Sequence, residues 1–120
     1  MAKILISEPH DAARWLLQRM LTRLNHEPIA VKIPSPEQLT HADIFILEPA
    51  APVGAALAQA ANIANPTLPL ISASVTSPPP ELAQLGVLFT ASLIKPFTIE
   101  QLRNAIDDTL APRDRYFAIR

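Results

Sequence analysis

Five short apolar segments recur along the chain, and each is followed by a stretch rich in proline or polar residues. They occupy positions 3–7, 28–33, 43–47, 68–73 and part of 87–94. Continuous apolar runs of this length are typical of strands that are buried on both faces of a parallel sheet. The second run contains one charge and is flanked by prolines, as an edge strand is. The pattern therefore predicts five strands.

Helical spacing fills the intervals between these strands. Residues 11–24 carry apolar positions three and four apart, with Asp11 predicted as the N-cap and Asn25 as a left-handed stop. Residues 54–64 are rich in alanine and predict a third helix. A final helix follows Thr98, which opens a capping box and precedes an apolar face of Ile99, Leu102, Ile106 and Leu110.

The second and fourth helices are predicted to be short. Ser35 opens a capping box with proline at the first helical position, but the helix extends only to about Thr40. Residues 77–86 begin with Ser77 and three consecutive prolines, which fit either a short helix or a polyproline II segment. Strand and helix thus alternate five times, and this order predicts a parallel sheet covered by helices on both faces.

Composition limits the classes of function. The chain has 120 residues, of which 49% are hydrophobic and 18% charged, with a net charge of −1 and no cysteine. This excludes thiolate zinc sites and disulfides and gives no basic field for nucleic acid. No apolar run approaches the roughly 20 residues that span a bilayer. A cytoplasmic protein is expected, with one domain at 1–112 and a tail at 113–120.

Polar side chains stand where four of the predicted strands end. These are Glu8, Glu48, Ser74 and Lys95. In open parallel sheets the functional crevice lies at the carboxyl ends of the strands, so these four side chains are expected to converge.

Four stretches in this order give the chain a resemblance to the receiver domains of two-component response regulators. They are Ile4 to Asp11 with the acid Glu8, Asp43 to Glu48, Pro69 to Ser74, and Lys95-Pro96-Phe97. The resemblance implies a flavodoxin-like three-layer α/β sandwich with strand order 2-1-3-4-5. It also implies a cis peptide bond between Lys95 and Pro96. In that family, acids after the first and third strands hold magnesium, and an aspartate accepts a phosphoryl group from a histidine kinase.

The chain departs from the family pattern at the positions that carry this chemistry. Pro9 stands in place of the second acid, and Glu48 replaces the acceptor aspartate with a side chain one methylene longer. Val75 replaces a small residue, and Ser92 stands at the position of the switch aromatic. Because a hard cation needs several oxygen ligands, Glu8 and Glu48 alone are a poor magnesium site, and no cofactor is expected.

A non-enzymatic, non-phosphorylated signalling protein of a phosphorelay is therefore the predicted function. An ion pair between Glu48 and Lys95 is expected to stand in for the phosphorylated state. The alternatives are a single-domain response regulator with weak magnesium-dependent phosphorylation and a small-ligand binder on the same fold. His10 is expected to be a solvated loop histidine, and Ser74 to bond backbone.

Protein partners are expected instead of nucleic acid or membrane. The resemblance implies a binding face made by the fourth helix, fifth strand and last helix. A histidine kinase or an output protein is the expected partner, and the chain is expected to be a monomer or a weak homodimer.

Overall fold

A computed structural model describes residues 1–50 and 52–110 of the chain. Strands and helices alternate throughout. The elements are β1 Lys3–Ser7, α1 Asp11–Arg23, β2 Glu27–Ala30, α2 Pro36–His41, β3 Ile44–Leu47, α3 Pro52–Ala64, β4 Leu70–Ser74, α4 Pro80–Gln84, β5 Ala91–Ile94 and α5 Ile99–Leu110. All five predicted strands and all five predicted helices are present, and α2 and α4 are the short helices.

The five strands form one parallel sheet in the order β2-β1-β3-β4-β5. Each face of the sheet has its own apolar core. One core joins the sheet to α1 and α5 and includes Ile4, Ile46, Leu21 and Ile106. The other joins it to α2, α3 and α4 and includes Phe45, Leu39, Leu57 and Leu82. The flavodoxin-like three-layer sandwich is confirmed, because both faces of the central strands are buried.

Local sequence signals explain three of the helix ends. Ser35 and Gln38 exchange the two hydrogen bonds of a capping box, and Thr98 and Gln101 do the same at α5. Asn25 ends α1 with a φ of 65°. The predicted N-cap of α1 was wrong, because His10 holds that position and Asp11 is already helical.

Two further predictions need correction. The second strand was expected to reach position 33 but ends at Ala30, after which Ile33 is 77% exposed. Pro34 follows and has no N–H to continue the ladder. Leu16 is one of the apolar positions that predicted the first helix, yet it is 49% exposed, whereas Leu17 is buried. Consecutive helical residues point about 100° apart, so Leu16 is directed away from the position that Leu17 occupies in the core.

Three remaining expectations concern membrane spanning, the C-terminal tail and the proline-rich segment. None of the described helices combines the length and apolar character needed to cross a membrane. The predicted tail at 113–120 and the domain boundary at 112 lie outside the described residues. Residues 80–84 are helical, which decides between the two conformations left open for the proline-rich segment.

Candidate functional site

Strand register brings the predicted site residues together at one edge of the sheet. Ser7 of β1 pairs with Leu47 of β3, so Glu8 and Glu48 follow side by side. Ser74 pairs with Ile94, so Lys95 follows beside the end of β4. The parallel arrangement places all four strand ends on the same edge, as expected for this class of sheet.

Lys95 lies between the two glutamates. Its ammonium donates one hydrogen bond to Glu48 Oε2 at 2.6 Å and another to Glu8 Oε1. The side chains are largely enclosed, with exposed fractions of 4% for Glu8, 12% for Glu48 and 19% for Lys95. The expected contact between Glu48 and Lys95 is present. Glu8 is a second partner that the sequence did not predict, although β1 is the neighbour of β3 in the expected strand order.

The protonation of Lys95 follows from these contacts. Burial by itself lowers the pKa of the ammonium. The hydrogen bonds to Glu48 and Glu8, together with the charges of both carboxylates, outweigh that effect and raise the pKa above its ordinary value of 10.5. The bridging group is therefore a cation at neutral pH, and it offsets one of the two negative charges.

The other carboxylate oxygens also face polar groups. Glu8 Oε2 accepts a hydrogen bond from the backbone N–H of His10 and lies 3.2 Å from His10 Nδ1. Ser74 donates its hydroxyl to Glu48 Oε1 over a long 3.4 Å and accepts from the N–H of Thr76. His10 contacts Glu8 although its side chain is 73% exposed, which agrees with the predicted solvated loop histidine. Ser74 makes the predicted backbone hydrogen bond and, in addition, contacts Glu48.

The donor set does not fit a magnesium ion. Glu8, His10 and Glu48 each offer a ligand atom, and these atoms lie within 4.8 Å of one another. Magnesium requires near-ideal octahedral oxygen coordination, whereas this group contains an imidazole and no third carboxylate. Lys95 also holds one oxygen of each glutamate. The other oxygen of each glutamate is hydrogen-bonded, Glu8 Oε2 to the backbone N–H of His10 and Glu48 Oε1 to the hydroxyl of Ser74.

The remaining predicted site positions lie around this cluster. Pro9 follows Glu8 and is exposed, so it adds no ligand. Val75 is exposed directly after β4, and Ser92 is exposed within β5. The peptide bond between Lys95 and Pro96 is cis.

Gly54 supports the position of Glu48 from the start of α3. A Cβ atom at Gly54 would lie 1.7 Å from the carbonyl oxygen of Glu48 and 3.2 Å from the Cα of Pro49. Only a residue without a side chain lets the helix begin this close to the end of β3. This role was not predicted from the sequence, although Gly54 is one of only two glycines in the chain.

Solved structures of response regulator receiver domains superimpose on this chain over more than nine-tenths of its length, so the fold is that of a receiver domain. The chemotaxis protein CheY4 of Vibrio cholerae has a TM-score of 0.75 and 21% identity, with 92% of this chain and 99% of that chain covered. A response regulator receiver domain from Clostridium thermocellum has a TM-score of 0.75 and 17% identity, with 97% and 99% covered.

TrrA of Thermotoga maritima, solved in complex with Mg²⁺ and BeF, has a TM-score of 0.73 and 18% identity. The match covers 92% of this chain and 100% of that one. No family model matches the chain, and no curated protein matches it either.

Proposed function

We propose that the protein is a receiver-type signalling module that binds protein partners without being phosphorylated and has no enzymatic activity. The observation that carries the proposal is the Lys95 ammonium between Glu8 and Glu48. The Lys95 ammonium binds one oxygen of each carboxylate, and phosphoryl transfer would require such oxygens as ligands of a metal ion. The domain then transmits a signal through the shape of its surface, in the cytoplasm.

Two substitutions add to this proposal. Pro9 offers no carboxylate beside Glu8, so a metal ion would lose a ligand at the position where the resemblance implies a second acid. Glu48 carries its carboxylate one methylene further from the backbone than an aspartate, which moves a nucleophilic oxygen out of in-line geometry. Both changes act against phosphoryl transfer independently of the lysine.

A phosphorylation assay tests the proposal. The protein is incubated with acetyl phosphate and Mg²⁺, and its intact mass is measured. We expect no mass increase and no Mg²⁺-dependent change in the amide spectrum around Glu8 and Glu48. Glu48→Gln, which removes the candidate acceptor carboxylate, serves as a matched control for phosphorylation elsewhere on the surface. A stable adduct mapped to Glu48 would establish the alternative, a response regulator with weak magnesium-dependent phosphorylation.

The partner surface of the proposal is the face of α4, β5 and α5. Exposed apolar side chains on or beside these elements include Leu85, Leu88 and Ile94. Contiguous exposed apolar patches are typical of surfaces that contact other proteins. A histidine kinase or an output protein is the proposed partner, and the chain itself is a monomer or a weak homodimer.

Paired substitutions test this surface. Leu88 on this face is 71% exposed, and Ile63 on α3 outside it is 72% exposed, so neither supports the core. We expect Leu88→Glu to lower the affinity for a kinase or output partner at least about tenfold, because it places a charge in an apolar contact. Ile63→Glu should leave the affinity unchanged. Equal effects of the two variants would contradict the assignment of the face.

A further inference from the structure

The helices α1 and α5 lie on the same side of the sheet. Their buried residues, which include Leu17 and Leu21 of α1 and Leu102 and Ile106 of α5, share one apolar core. Each helix follows the carboxyl end of a parallel strand, so both begin at the edge of the sheet that holds Lys95. They therefore run in the same direction. Their outer sides form a surface about 18–20 Å long, which we call the α1–α5 face.

The two helices carry opposite charges. α1 has three arginines and one aspartate, for a net charge of +2, and α5 has two aspartates, one glutamate and one arginine, for a net charge of −2. Each helix contains one internal ion pair, Asp11–Arg14 in α1 and Glu100–Arg103 in α5. The other charged residues of the two helices are all exposed, namely Arg19 and Arg23 on α1 and Asp107 and Asp108 on α5. The α1–α5 face thus has a positive half and a negative half.

The positive half also exposes apolar side chains. Trp15 is 59% exposed and Leu16 is 49% exposed. The guanidinium of Arg19 lies over the Trp15 ring, 4.8 Å from its centre, in a cation–π contact. Beside Leu16, an apolar hollow of about 200 Å³ stays open between α1 and Phe97, just before α5. Because tryptophan and arginine are the residues most enriched at the energetic centres of protein interfaces, this half has the composition of a contact surface.

We propose that the α1–α5 face binds a second copy of this chain in a twofold-symmetric dimer. A twofold contact uses the same patch on both copies, so a face with one positive and one negative half can be complementary to itself. With the twofold axis parallel to the helices, α1 of each copy lies on α5 of the other. An axis across the helices would place α1 on α1 and α5 on α5, where like charges repel. The charge distribution therefore selects the first arrangement.

Arg19 and Asp107 are the expected ionic partners in this dimer. Each is the ninth residue of its helix, so the two lie at a similar distance from the start of the face. Neither side chain makes a hydrogen bond or ion pair within residues 1–50 and 52–110. Symmetry forms the pair twice, but exposed ion pairs contribute little, so burial of Trp15 and Leu16 supplies most of the affinity. The dimer is additional to the partner binding proposed above and does not depend on whether Glu48 is phosphorylated.

Sedimentation velocity of the full chain, from micromolar to millimolar concentration, tests the proposal. We expect monomers to convert to dimers and to nothing larger. The emission of Trp15, the one tryptophan in the chain, should move to shorter wavelength as its ring is buried. Trp15→Ala should lower the affinity at least about tenfold, because it removes the largest apolar contact. A chain that stays monomeric at millimolar concentration, or that forms larger polymers, would overturn the proposal.

Charge reversal tests the arrangement of the two copies. Arg19 and Asp107 are exposed, so Arg19→Glu and Asp107→Arg should both fold. Each variant alone should weaken the dimer at least about tenfold, because it turns two attractive contacts into two repulsive ones. The combined variant restores opposite charges and should recover the parent affinity to within about fivefold. Lys32→Glu reverses an exposed charge outside the face and should have no effect. No recovery in the combined variant, or an equal loss from Lys32→Glu, would refute the arrangement.

Discussion

Replacing Lys95 with methionine is expected to destabilise the fold by about 2–4 kcal/mol at pH 7, because a broken buried ion pair leaves uncompensated charge. Here the loss leaves Glu8 and Glu48 close together with no cation between them. Methionine keeps most of the side-chain volume, so the effect reports charge and not packing. Urea unfolding at pH 7 gives the free energy.

In the parent protein, the contribution of Lys95 to the free energy of unfolding is lost at alkaline pH. Lys95 has a pKa above 10.5 in the folded state, so its contribution is fully present below that value and is lost as the pH rises through the folded pKa. Lys95→Met should lack this alkaline loss. The triple variant with Glu8→Gln and Glu48→Gln added removes all three charges and should recover much of the stability. A Lys95→Met protein as stable as its parent at pH 7 would refute the bridging role.

Gly54→Ala is expected to lower the free energy of unfolding by about 1–3 kcal/mol, the usual effect of forcing an extra carbon into a packed site. The added Cβ would meet the backbone of Glu48 and Pro49, and neither can rotate away as a flexible side chain would. The start of α3 must therefore move relative to the end of β3. Amide shifts of Glu48 and Lys95 should change along with the stability.

Gly86→Ala is the matched control for this prediction. Gly86 has a φ of +81°, and a Cβ there would contact nothing within 4 Å. Its substitution costs about 1–2 kcal/mol through backbone strain alone, and the site around Lys95 should keep its spectrum. If Gly54→Ala left the shifts of Glu8, Glu48 and Lys95 unchanged, the close approach of α3 would have no part in positioning the acid.

Much of this architecture was open to prediction because it depends on neighbouring residues. Apolar runs specify the strands, and the capping boxes at Ser35 and Thr98 mark the starts of α2 and α5 within four residues of sequence. Strand boundaries were less accurate. Whether Ile33 continues a strand depends on hydrogen bonds to another strand, and the local pattern does not contain that information.

The candidate site divides in a similar way. The identities of Glu8, Glu48 and Lys95 and their positions at strand ends were readable in the sequence, since all parallel strands end on one edge. The sequence suggested one ion pair, and the structure contains two. The length of the lysine side chain and the register of the strands decide which carboxylate oxygens the Lys95 ammonium contacts. These relative positions are fixed only when β5 takes its place in the sheet, two strands away from β3.

The sequence by itself determined the alternation of strands and helices, the shortness of α2 and the missing second acid at Pro9, because each is a property of a few adjacent residues. Tertiary structure alone decided that Lys95 bridges two glutamates, that Gly54 must lack a side chain, and that α1 and α5 share one face. Those features are distances between segments far apart in the chain, and only packing of the two helical layers on the sheet sets such distances.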